Sequence, residues 1–123
     1  MIIDHCRDLL EFQDFFYNYP MPKDIDYLWV INNPNLFCFY DEKTNELKAY
    51  IYLTENKDGN LYLSGASCRK NFLDNIQGII KVCNAFDRDI YSYTKLKQAG
   101  LLLRKAGFKQ ISDYEYIRTK NNG

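Results

Sequence analysis

The run "NFLDNIQGIIKVCNAF", Asn71 to Phe86, constrains the fold more than any other segment. Phe72, Leu73, Ile76, Ile79, Ile80 and Cys83 recur at helical spacing, which predicts an amphipathic helix with Asn71 as N-cap and Asp74 at its third position. It lies between two strand patterns, "NLYLSG" (60–65) and "RDIYSY" (88–93). A helix joining two strands of one sheet is a crossover, so this pair is predicted parallel.

Two more strand patterns precede the crossover, "LFCFY" (36–40) and "LKAYIYL" (47–53). The linkers "DEKTNE" and "ENKDGN" read as polar hairpin loops, the second carrying Asp58-Gly59. In the middle strand Leu47, Ala49, Ile51 and Leu53 point one way and Tyr50 and Tyr52 the other. Both faces are apolar, as expected of a central strand covered on two sides.

Upstream, Cys6, Leu9, Leu10, Phe12, Phe16 and Tyr17 share one broad face, predicting a helix over about Asp4 to Tyr17 that ends before Pro20 and Pro22. "DIDYLWVINNPN" admits a short helix capped by Asp24 or a strand, and Pro34 ends either. Downstream, "TKLKQAGLLLRKAGF" predicts another amphipathic helix with Leu96, Ala99, Leu102, Leu103 and Ala106 facing inward. Gly107 suits the left-handed position just past its end, and Lys105 complements its carbonyl end. "YEYIRTK" reads as a closing strand. The order is that of an α+β (mixed α/β) domain.

At 123 residues the chain is expected to form one domain, 1–123. Sixteen basic residues balance sixteen acidic ones, so no global field draws it to nucleic acid or a membrane surface. The cysteines, Cys6, Cys38, Cys68 and Cys83, form no C-x-x-C pair, and His5 is the single histidine. A zinc set is not completed, no metal site is expected, and the cysteines read as buried reduced thiols. Met1 to Arg7 carries charges with no apolar run after it, so neither a leader nor a membrane span is expected, and the cytoplasm is the expected location.

From Leu36 to Lys120 the chain resembles the Gcn5-related N-acetyltransferase (GNAT) superfamily, most nearly its small phage-type members. The residues that carry the resemblance are the hairpin strands, "LYLSGAS" leading into a helix, and the ending "LLLRKAGFKQ…YEYIR" with its Ala106-Gly107-Phe108 step. The resemblance implies a GNAT-like acyl-CoA N-acyltransferase fold, a central mixed sheet with helices on both faces, and acetyl-CoA as the acyl donor to an amine.

The family's phosphate-binding loop, Q/R-x-x-G-x-G/A, aligns with "RKNFLD". Arg69 holds its first position, while Phe72 and Asp74 replace the two small residues. The implied cofactor-binding residues are Gly65, Ser67, Arg69, Lys70 and Asn71, with a backbone N–H near Gly65 polarising the thioester carbonyl. The family's acid tyrosine aligns with Leu103, and its helical asparagine with Leu96. That shifts the candidate acid to Tyr93, next to Thr94, past the fourth strand.

Other groups carry two readings each. Ser64, Ser67 and Cys68 end the third strand, where Cys68 is a nucleophile or a buried thiol. Glu42 and Glu55 are bases if they face a cleft and solvated loop carboxylates otherwise. The basic runs 68–70, 94–97 and 103–105 receive phosphates or lie on a solvated face. Tyr17, Tyr19 and Tyr27 form an interface or cap a sheet edge. Two functions follow: a divergent acyl-CoA-dependent N-acyltransferase, or an inactive protein of the same fold that acts through protein–protein contact, such as a phage-encoded inhibitor of a host protein in the host cytoplasm.

Overall fold

The computed structural model describes residues 1–19, 25–68 and 74–120. Its elements in chain order are β1 (Ile2–Asp4), α1 (Leu9–Asn18), α2 (Tyr27–Ile31), β2 (Leu36–Tyr40), β3 (Leu47–Glu55), β4 (Leu61–Ser67), α3 (Asp74–Ala85), β5 (Ile90–Tyr93), α4 (Lys97–Lys105), β6 (Lys109–Gln110) and β7 (Glu115–Arg118). The seven strands hydrogen-bond in the order β1-β2-β3-β4-β5-β7-β6, a mixed sheet. The chain falls into two compact units, Met1–Tyr52 with Gly65–Asn75, and Leu53–Ser64 with Ile76–Gly123.

In the first unit, β1 pairs antiparallel with β2, Ile2 opposite Tyr40 and Asp4 opposite Cys38. This corrects the expected helix start at Asp4. Helix α1 begins only after Asp8, whose extended backbone and carboxylate cap it by accepting the N–H groups of Leu10 and Glu11 at 2.9 and 3.1 Å. Leu9 and Leu10, expected on the buried face, are exposed; the buried face is Phe12, Phe15 and Phe16. These rings gather around Tyr50 of β3, with centroid separations of 5.0, 5.9 and 6.2 Å. Such contacts add about 1 kcal/mol each beyond burial. Glu11 also accepts the Leu47 N–H at 3.0 Å, tying α1 to the start of β3.

The ambiguous second segment is a helix, α2, and Asp26 caps it; Asp24 lies outside the described residues. Tyr27 packs on Phe12 and Phe16. Leu47, Ala49, Tyr50, Ile51, Tyr52 and Leu53 are all buried, so β3 has the two apolar faces that its sequence predicts.

In the second unit, Leu61, Tyr62 and Leu63 of β4 pair in parallel with Ile90, Tyr91 and Ser92 of β5, as the crossover requires. Asn71, the expected cap of α3, lies outside the described residues, and within α3 Ile79, Val82 and Cys83 are buried. Ser92 adds a side-chain bond, its hydroxyl donating to the Leu63 carbonyl at 2.8 Å.

Helix α4 starts at Lys97, three residues later than its apolar pattern suggests. Leu96, at the N-cap, has an extended backbone and is 62% exposed rather than inward, and its N–H is taken by the Thr94 hydroxyl at 3.1 Å. The other end matches expectation: Gly107 has φ 98°. Its N–H reaches the Arg104 carbonyl at 3.1 Å, and the Phe108 N–H reaches that of Leu103 at 3.0 Å. Those two bonds, with Leu103 and Phe108 both buried, make a Schellman cap. β7 then inserts between β5 and β6. Its Arg118 is buried, and it donates to the Ala106 carbonyl at 3.2 Å and to Asn84 Oδ1 at 2.7 Å. The pair of lysine and glutamine that makes β6 is too short to show a period in sequence.

Candidate functional site

Two of the sequence candidates lie on the last part of β4. The parallel register with β5 covers Leu61 to Leu63, and β4 runs on through Ser64, Gly65, Ala66 and Ser67. On the β3 side, the Cys68 N–H donates to the Lys48 carbonyl at 3.0 Å. Backbone groups of an antiparallel strand alternate between its two neighbours. Residues in step with Cys68 therefore face β3, and Gly65 and Ser67 direct their N–H and C=O groups to the opposite edge. Gly65 is exposed there, and it is glycine for a local reason. A Cβ at this position would overlap the Tyr50 carbonyl oxygen and lie 2.9 Å from Ile51 Cγ2.

Past Gly65, the end of β4 enters a small polar cluster. Ser67 donates its hydroxyl to the Cys68 carbonyl at 2.8 Å and accepts a short bond from Asn75 Nδ2. Asn75 is 1% exposed, and its Oδ1 has no donor among the described residues. Neither property was visible in sequence, because the contact joins the end of a strand to the first turn of α3. Asp74, next to it, is exposed. Arg69, Lys70, Asn71 and Phe72 lie outside the described residues.

Tyr93 ends β5 and is 55% exposed. Its ring meets that of Tyr114 edge-on at 6.0 Å, and the Lys95 ammonium stands 5.7 Å from the Tyr114 ring centre. Thr94 is fixed by its N–H, which donates to the Tyr114 carbonyl at 2.9 Å. Leu103, which the sequence resemblance aligns with an acid tyrosine, is 5% exposed and committed to the α4 cap, and its aliphatic side chain carries no proton to give.

The remaining candidates have local roles. Cys68 is buried and His5 is exposed. No disulfide joins the cysteines; burial pushes the Cys38 thiol up to about 12 and the Cys83 thiol up to about 11. Cys6 is half-buried rather than buried. Glu55 pairs with Arg88 at 3.0 Å, and Arg88 also donates to the Gly59 carbonyl, closing the β3–β4 hairpin. Glu42 receives the Met1 ammonium at 2.6 Å. No helix among the described residues is long and apolar enough to cross a membrane.

No protein-family model matches the chain, and no curated protein does. Solved structures do. An acetyltransferase of the GNAT family from Bacillus anthracis aligns with a TM-score of 0.58 at 12% identity, over 76% of this chain and 70% of that one. A protein from Bacillus anthracis str. Ames assigned as a streptothricin acetyltransferase, solved in complex with acetyl coenzyme A, aligns with a TM-score of 0.55 at 16% identity, over 79% and 69%. A domain from Methanocaldococcus jannaschii aligns along 96% of this chain and 97% of its own, with a TM-score of 0.59 at 12% identity. The chain thus has the mixed-sheet fold of the GNAT acyl-CoA N-acyltransferases.

Proposed function

We propose that this protein is an acyl-CoA-dependent N-acyltransferase that uses acetyl-CoA and an amine acceptor. The observation that carries the reading is the stretch of β4 past Leu63, which turns the backbone groups of Gly65 and Ser67 to the edge away from β3. A strand edge of this kind offers an extended ligand alternating donors and acceptors. Bound acetyl-CoA supplies an acyl group activated as a thioester. The Gly65 N–H is the donor for the thioester carbonyl, where negative charge develops during attack.

The fit at the phosphate end rests on other residues than in the family pattern. Asp74 sets a negative charge in the first turn of α3, so Arg69 and Lys70 are proposed to balance the pyrophosphate. Tyr93 takes the role of proton donor to the departing sulfur, since Leu103 is aliphatic and buried. A solved neighbour that holds acetyl coenzyme A supports the reading.

Thermal melting with and without millimolar acetyl-CoA tests it. With a micromolar dissociation constant, the stabilisation is about 4 kcal/mol. An unchanged melt rejects the enzyme reading.

One observation favours the second reading, a partner-binding protein of the same fold. Leu9, Leu10, Tyr17, Leu28 and Trp29 are exposed on α1 and α2, between 51% and 77%. Under this reading the melt ignores acetyl-CoA, and replacing Leu10 and Trp29 by serine leaves the isolated protein stable while abolishing partner binding.

A further inference from the structure

Tyr93 and Glu115 stand opposite each other at the end of the β5–β7 ladder. The Thr94 N–H to Tyr114 carbonyl bond lies just outside the pair, which makes it a non-hydrogen-bonded pair. In such pairs the two side chains come closest, and they project on the same face of the sheet. A phenol and a carboxylate are therefore neighbours on one face. The flanking pair, Ser92 and Tyr116, is buried on the other face, whereas Tyr93 is exposed and Glu115 half-buried. The salt bridges among the described residues use Glu42, Asp4, Glu46 and Glu55, and none uses Glu115.

The same corner holds the Tyr114 ring, 6.0 Å from that of Tyr93, with the Lys95 ammonium over it. The protein thus already places one ammonium against these aromatic faces, the interaction expected between a cation and a ring quadrupole. The Lys95 contact is made to Tyr114, while Tyr93 beside it is 55% exposed.

We propose that Tyr93, Tyr114 and Glu115 bind the primary ammonium group of the acyl acceptor, and that its substrates are amines with an apolar or aromatic body. The acceptor role rests on the acyltransferase reading; the ammonium site does not. In the reaction, Glu115 takes one proton from the ammonium, freeing the nitrogen lone pair. The C–N bond forms as the C–S bond breaks, and Tyr93 gives its hydroxyl proton to the sulfur and regains one from solvent. Glu115 releases its proton to solvent, and the newly acylated nitrogen sheds its second proton to solvent as the amide forms. The net change is ammonium plus thioester to amide, thiol and one proton.

The test uses phenethylamine and phenethyl alcohol as probes, which differ in charge and match in shape, titrated by NMR without acetyl-CoA. The amine binds about tenfold tighter than the alcohol, and the Glu115→Gln variant loses that preference. Lys95→Ala uncovers the Tyr114 face and tightens amine binding. Equal binding of the two probes, an unchanged preference in Glu115→Gln, or weaker amine binding in Lys95→Ala overturns the proposal. None of these outcomes depends on acetyl-CoA, so they separate this site from the melt that tests the acyltransferase reading.

Discussion

The hydroxyl of Tyr116 occupies the space that a side chain at Gly100 would fill. A Cβ on this α4 residue would overlap Tyr116 Oη and lie 3.1 Å from Cζ. Gly100 is buried within the helix, where alanine is intrinsically favoured by about 1 kcal/mol. Close packing on β7 outweighs that preference. Gly100→Ala is expected to destabilise the protein by about 2 kcal/mol. Tyr116→Phe in the same chain removes the overlapping oxygen and restores most of the loss. Urea midpoints of the two single variants and the double variant measure the coupling, and additive effects contradict it.

Gly65 presents the harder case, because its neighbour is backbone. Gly65→Ala forces Cβ against the Tyr50 carbonyl oxygen, which cannot rotate away. The expected cost is about 3 kcal/mol. If the variant still folds, the acetyl-CoA stabilisation disappears with it, since β4 must shift at the proposed donor. Retained stabilisation in a folded Gly65→Ala protein rules out that donor.

Asp8 accepts two of the first N–H groups of α1. Asp8→Ala is expected to cost about 1 kcal/mol. Asp8→Asn, which keeps the acceptor oxygen, costs only part of this. Denaturant titration with unchanged slope checks that the effect is local stability rather than a different unfolded state.

Alkaline pH should weaken the fold through its thiols. Burial raises Cys38 to about 12 and Cys83 to about 11 against an ordinary value of 9.0. A value raised in the folded state means the stabilisation is complete below about pH 9 and is lost as pH rises toward 11 and 12. Each thiol contributes a slope of up to about 1.4 kcal/mol per pH unit in that window. Tyr40 and Tyr50, also raised by burial, add to the loss at higher pH. Urea titrations at several pH values should show the stability gap between wild type and Cys83→Ala narrowing from pH 9 to 11; a constant gap refutes the assignment.

Periodic features of the chain were legible before its fold. The alternation of β3, the crossover between β4 and β5, and the Gly107 cap all follow from local pattern and turn chemistry. β1 and β6 were not, because strands of three and two residues carry no period and form only by pairing with a neighbour. The apolar pattern of the first helix runs upstream of its true start for a related reason. Cys6, Leu9 and Leu10 extend its apolar face, and only the capping contact of Asp8 shows where the helix begins.

The site divides in the same way. Gly65, Ser67 and Tyr93 were visible as residue types at strand ends. Glu115 was not, since its relation to Tyr93 depends on β7 pairing with β5, across the whole of α4. Asn75 carries no such mark, because a buried amide in a helix's first turn resembles any exposed one in sequence.

The insertion of β7 between β5 and β6 has a consequence for the newborn chain. β5 and β6 leave the ribosome before the strand that joins them, so β5 waits with one open edge until residues 115–118 emerge. Ser92, Tyr91 and Tyr93 then belong to an unsatisfied strand, a template for pairing with another chain. Synthesis that pauses within the α4 region should therefore favour aggregation, and chaperone demand should peak in that interval and fall once Arg118 has closed over Asn84 and the end of α4.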